Sequence, residues 1–118
     1  MAVEEFAALD GVSITTTEWA VVANEAFTIN STSMDTTPGV YSLWVDTADM
    51  VKGDILAIAL YEKVHSGSAQ RKIEEWRLLG TQGRNFVVPP LPLMNGWEFT
   101  LDCLAGTSIT VDAVVRSL

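Results

Sequence analysis

Residues 53–118 form a succession of short β-type runs cut by turn signals, and that rhythm commits this half of the chain to β-structure. The clearest run is residues 97–103. Trp97, Phe99, Leu101 and Cys103 take one face and Glu98, Thr100 and Asp102 the other, the period of two of a half-buried strand. After the turn at Ala105-Gly106-Thr107 the pattern repeats, with Ile109, Val111, Ala113 and Val115 inward and Thr110, Asp112 and Arg116 outward. The run from Ile55 to His65 starts apolar on both faces, as a strand does inside a sandwich or beneath a neighbouring subunit. Ser66-Gly67-Ser68 reads as a hairpin turn, which makes residues 70–79 its return strand. A short helix competes there, because Ile73, Trp76 and Leu79 also fall at helical spacing. Residues 85–88 read as a short strand stopped by Pro89-Pro90. Residues 90–93 continue as an extended segment that must lie at an edge, since proline cannot donate to a ladder.

The first half is less regular. Residues 1–9 read as an arm, either flexible or a short amphipathic helix, closed by a turn at Asp10-Gly11. Residues 12–19 are β-branched and predict a strand, and residues 24–29 a shorter one. Residues 30–39 are a polar loop ending in Pro38-Gly39, and residues 40–45 another strand. Seven to eight strands spaced about ten residues apart predict an all-β fold, a single antiparallel β-sandwich of jelly-roll type. The expected division is an arm at residues 1–9 and one sandwich domain at residues 10–118.

Charge is distributed unevenly. The chain of 118 residues carries a net charge of −8. Residues 1–51 hold eight acids and no Lys or Arg, whereas residues 52–118 hold seven of each sign. An acidic half repels phosphate and anionic lipid, which argues against nucleic acid and membrane surfaces as partners and admits a basic protein surface. Residues 2–9 lack the pattern of a signal peptide, and no apolar run approaches the ~20 residues of a membrane span, so synthesis in the cytoplasm is expected. Asn30-Ser31-Thr32 matches a glycosylation sequon, taken as chance without a secretion signal.

Residues that carry chemistry are sparse. Cys103 is the single cysteine and sits at an inward strand position, so it reads as core. His65 is the single histidine, and no Gly-x-Ser-x-Gly elbow accompanies it. One Cys and one His cannot close a zinc site. Asp46, Asp49 and Asp54 offer hard oxygen ligands around one connection, but without EF-hand order they read first as a solvated acidic loop. The carboxylate pairs Glu4-Glu5 and Glu74-Glu75 are sequence neighbours that point to opposite faces of a strand. Gly80-Thr81-Gln82-Gly83 is too short for a phosphate-binding loop. The expectation is a non-enzyme with no catalytic residue, cofactor or metal. Of four tryptophans, Trp97 reads as core, while Trp76 sits among Arg71, Lys72, Glu74, Glu75 and Arg77 and reads equally as core or as an interface anchor.

Several features occur in a fixed order over residues 46–118. They are Gly53-Asp54 leading a strand that ends Tyr61-Glu62-Lys63-Val64, the extended Pro89-Pro90-Leu91-Pro92-Leu93, Gly96-Trp97, the turn Leu104-Ala105-Gly106-Thr107, and a last strand ending Arg116-Ser117-Leu118. In this the chain resembles small proteins encoded among the head and structural genes of tailed bacteriophages. The resemblance implies a β-sandwich decoration or minor structural protein of a virion, made in the host cytoplasm. It would act as a homo-oligomer against the major capsid protein or other virion proteins. Contact residues expected on this reading are Val3, Phe6 and Leu9 of the arm, with Trp76, Arg77, Leu91 and Leu93. The competing expectation is a ligand- or carbohydrate-binding β-module of a tail or baseplate component.

Overall fold

The strict alternation of residues 97–103 becomes the middle strand of a sheet, with Trp97, Phe99, Leu101 and Cys103 fully buried. The computed structural model describes residues 3–118, and among these there are nine strands and no helix. They are β1 (Glu4–Ile14), β2 (Trp19–Ala20), β3 (Glu25–Ala26), β4 (Gly39–Asp46), β5 (Ile55–Glu62), β6 (Arg71–Leu79), β7 (Phe86–Leu93), β8 (Glu98–Ala105) and β9 (Ile109–Ser117).

Two sheets form, with orders β1-β9-β4-β7 and β3-β2-β8-β5-β6, and neighbours within each are antiparallel. Apart from the hairpins β2–β3 and β5–β6, each connection crosses from one sheet to the other. That topology is a jelly-roll β-sandwich. The inner faces meet through Leu9, Ile14, Leu43, Val45, Val88, Leu93, Val111 and Val115 on one side. Leu56, Ile58, Leu60, Phe99, Leu101 and Cys103 supply the other. Trp97 closes one end, stacked 4.3 Å from the Tyr41 ring centroid, with Phe6 4.9 Å from Tyr41. Such aromatic pairs are worth about 0.5–1.5 kcal/mol beyond their burial.

Residues 4–9 are not an arm. They are the first half of β1 and pair with β9 from Glu4↔Ser117 to Leu9↔Ala113. Met1 and Ala2 lie outside the described residues. The turn read at Asp10-Gly11 is instead a bulge: Leu9 pairs with Ala113 but Val12 pairs with Val111, and Gly11 takes φ = 60° to absorb the one extra residue. Its N–H donates to the Asp112 carboxylate at 2.6 Å. The strand expected over residues 12–19 likewise divides. β1 stops at Ile14 in one sheet and β2 starts at Trp19 in the other.

Residues 70–79 are the expected return strand rather than a helix, since β6 pairs with β5 along its length. The prolines do not stop β7. It runs through Pro89, Pro90 and Pro92 because it is an edge strand paired only with β4. The second apolar face of β5 is covered by the chain itself. The Phe27 ring lies 4.5 Å from Tyr61, and the Tyr61 hydroxyl donates to Glu18 at 2.9 Å.

Leu93, expected as a contact residue, is 4% exposed and belongs to the core, as does Leu9 at 2%. Leu93→Ala is therefore expected to cost about 2–5 kcal/mol in urea unfolding. A change below about 0.5 kcal/mol would place this side chain on the surface after all.

Candidate docking surfaces

The residues that could carry chemistry are held apart. Cys103 is buried, which pushes its thiol pKa up, and its Sγ donates to the Ala105 carbonyl at 3.2 Å. It pairs in register with Leu56 near the start of β5, while His65 follows the far end of that strand, roughly 20 Å away along the rise of the chain. The His65 ring accepts from Gly67 N–H within its own turn. Asp54 is turned into its loop, where it accepts from Val51 N–H, and Asp46 accepts from Ala48 N–H. Among the described residues no group of three acidic, His or Cys side chains is placed to hold a metal ion. Glu75 accepts from Lys72 at 2.7 Å and from Arg77 at 2.9 Å, and these two bonds hold its carboxyl below the usual range. Both are surface pairs of small energetic value.

What the fold does assemble is two surfaces. The first is an open groove of about 850 Å³ where the start of β4, the end of β5, the start of β6 and the end of β7 come together. Its apolar wall is Val64, Ile73 and Met94, which are 87%, 56% and 58% exposed, with Val40 and Pro92 beside them. Lys63, Arg71 and Lys72 stand around it. Large apolar side chains gathered in one concavity with a polar rim are the mark of an interaction site. The Glu62 carboxylate shapes the floor, accepting from the backbone N–H groups of Met94 at 2.6 Å and Asn95 at 2.9 Å.

The second surface is the outer face of the β1-β9-β4-β7 sheet. Residues of successive strands fall in one cross-strand row: Ala8 opposite Val114, Val114 opposite Trp44, and Trp44 opposite Val87. This apolar row crosses all four strands on the side away from the core. The Arg116 guanidinium covers the Trp44 ring at 4.1 Å from its centroid. On one side of the row Asp46 and Asp112 are directly opposite in register, a like-charge pair that costs free energy in a sheet. Glu5 and Asp10 line the same shallow concavity of about 450 Å³.

Glu98 is the buried carboxylate whose surroundings the alternation does not reveal. Its position does point away from the core, yet it is only 1% exposed. The turn at residues 21–24 folds over it. Val22 N–H and Phe99 N–H donate to Oε1 at 2.9 Å each, and Ala23 N–H donates to Oε2 at 3.0 Å. Nothing in the period-two pattern distinguishes a strand face in water from one roofed by a loop. Burial pushes the carboxyl up to about 7 against the pull of these three donors, and Asp35 adds to the rise.

The expected contact residues scatter. Val3 and Arg77 are exposed, whereas Leu9 and Leu93 are core. Phe6, Trp76 and Leu91 are partly buried and pack against the core, with Trp76 5.9 Å from the Phe86 ring. Trp76 thus closes the open side of the sandwich between β6 and β7 rather than standing out among its charged neighbours. The surfaces that do form were missed because each draws residues from four strands. The sequence signal for the groove was limited to three bases near apolar residues at 63–64 and 71–73.

No family model and no curated protein matches the chain. Among solved structures it is similar to the Yersinia pseudotuberculosis-derived mitogen, with a TM-score of 0.51 at 9% identity, over 99% of this chain and 86% of that one. At this identity the likeness is one of fold. It is also similar to a chain in the structure of the infectious bursal disease virus Gx strain, with a TM-score of 0.40 and 16% identity over 98% of this chain. It spans 30% of that chain's length, and so distant a likeness says nothing of function.

Glu98 makes stability depend on pH. Because its folded pKa lies above the ordinary carboxylate value, its contribution is complete below about 4.5 and is lost as pH rises through about 7. The loss is expected to be roughly 3 kcal/mol at most. Thermal melting of the wild type should fall across this window, while Glu98→Gln, which cannot ionise, should give a flatter profile. Parallel profiles would remove Glu98 as the source.

Proposed function

We propose that this chain is a virion structural protein, a capsid decoration or cement subunit that stabilises a phage head through protein–protein contacts. The observation that carries the reading is the groove, where Val64, Ile73 and Met94 remain in water although the chain has a full core in which to bury apolar groups. Burying such a wall against a partner supplies the association energy, and the basic rim sets the orientation. The resemblance of residues 46–118 to phage structural proteins supports the same reading. So does the jelly roll, an architecture that viral capsid and lectin domains use. The partners are then the major capsid protein or other virion proteins, and the place of action is the virion.

The competing reading as a carbohydrate-binding module needs an open aromatic platform. Trp44 is the tryptophan on an outer sheet face, and Arg116 already occupies its ring. Trp19, Trp76 and Trp97 pack on or in the core.

Purified chain added to phage heads assembled without it should bind in saturable, stoichiometric amounts and raise the temperature at which the heads open. Val64→Asp with Met94→Asp should lower occupancy on the order of tenfold or more at unchanged melting temperature. Heads that take up no protein would exclude the decoration role.

A further inference from the structure

The groove and the acidic sheet face are complementary in charge, and both carry apolar side chains. One offers a concave apolar wall (Val64, Ile73, Met94) ringed by Lys63, Arg71 and Lys72. The other offers an apolar row (Ala8, Val114, Trp44, Val87) along a shallow concavity flanked by Glu5, Asp10, Asp46 and Asp112, with Arg116 over the Trp44 ring. Most of these charges also lack an ion-pair partner. Among the described residues the ion pairs are Glu75 with Lys72 and with Arg77, so Lys63, Arg71 and all four acids of the sheet face stand outside any pair. The register opposition of Asp46 and Asp112 leaves an electrostatic cost that an incoming cation would relieve.

We infer that the occupant of the groove is a second copy of this chain, which lays the outer face of its β1-β9-β4-β7 sheet against Val64, Ile73 and Met94 so that copies associate head to tail. The placement of the two surfaces requires that geometry. The groove gathers at Gly39 and Val40, the start of β4, whereas Asp46 and Asp112 lie at its end with Asp10 beside them, and Glu5 lies level with Ser42 across Arg116. From Gly39 to Asp46, eight residues inclusive, the strand spans roughly 23 Å. Surfaces at opposite ends make a heterologous contact, in which each copy uses one face to give and the other to receive. The apolar row meets the apolar wall while the carboxylates reach Lys63 and Arg71. The contact therefore weakens as salt rises.

This inference rests on the groove being a docking surface, not on the phage head. A chain that assembles in solution but ignores heads would refute the decoration role alone, and one that binds heads as a monomer would refute head-to-tail assembly alone. The test is light scattering on the full chain across concentration at low and high ionic strength. Two charge reversals accompany it: Lys63→Glu with Arg71→Glu in the groove, and Glu5→Lys with Asp10→Lys on the sheet face. Circular dichroism confirms that each variant folds.

Wild type should exceed the one-chain mass and shift toward it at high salt. Each double variant alone should associate on the order of tenfold more weakly or not at all. Mixed in equal amounts they should assemble again at one-to-one composition, because each reversed groove then meets a reversed face. A wild type that stays monomeric at all concentrations, reversals that keep the wild-type mass, or a mixture that does not recover would each overturn the inference.

Discussion

The structure depends on β5 and β8 lying side by side with their inner faces dry. Leu56, Ile58 and Leu60 on one, with Phe99, Leu101 and Cys103 on the other, form the floor on which the opposite sheet sits. Because side chains alternate, a slip of one residue would put Thr100 and Asp102 into the core and turn Phe99 and Leu101 out of it. This pair fixes the register of its neighbours. β6 is carried on β5 and β2 on β8, and the loop after β2 is anchored through the backbone donors that hold Glu98. With the interior so fully committed, the outer faces and the ends of the sandwich are left to differ in chemistry.

How much of this can be read from the chain follows from how local each determinant is. β5, β6, β8 and β9 are legible because their signals are short-range: alternation, a hairpin turn, apolar residues on both faces of one run. The first half is not, because its determinants are long-range. Glu4 to Leu9 is a strand only by virtue of β9, more than a hundred residues away, and the Asp10-Gly11 pair that looks like a reversal is a bulge because Asp112 accepts the Gly11 N–H. The contact residues expected from sequence illustrate the same limit. Contact is expected for Leu9 from the arm reading, for Leu93 from its extended proline segment and for Trp76, read equally as core, from its charged neighbours, whereas burial is decided by the opposite sheet. The groove could not be found in this way, since Val40, Val64, Ile73 and Met94 meet only once the jelly roll is closed.

The charge asymmetry was legible as a sum but not as a pattern. The acids of the first half do not form one face. Glu18 is drawn into hydrogen bonds from Tyr61 and Thr100 on the outer side of β5 and β8, while Asp10 and Asp46 go to the other sheet and are joined there by Asp112 from the last strand. What matters for association is that Lys63, Arg71 and Lys72 gather at the opposite end of β4 from Asp46. A neutral second half and an acidic first half thus become a domain with a polarity along its strands.

An open sandwich has four sheet edges, and each edge offers unpaired backbone groups to another chain. Here all four are blunted by different means. β7 carries Pro89, Pro90 and Pro92, which remove N–H donors. β6 lines its edge with Lys72, Glu74, Glu75 and Arg77. β1 is interrupted by two irregularities in register and begins with Glu4 and Glu5. β3 is two residues long. A domain that closes its edges to backbone pairing while leaving an apolar groove and an apolar row in water confines association to side-chain contacts. Side-chain contacts can fix one orientation and one partner, whereas an open edge accepts any strand that arrives.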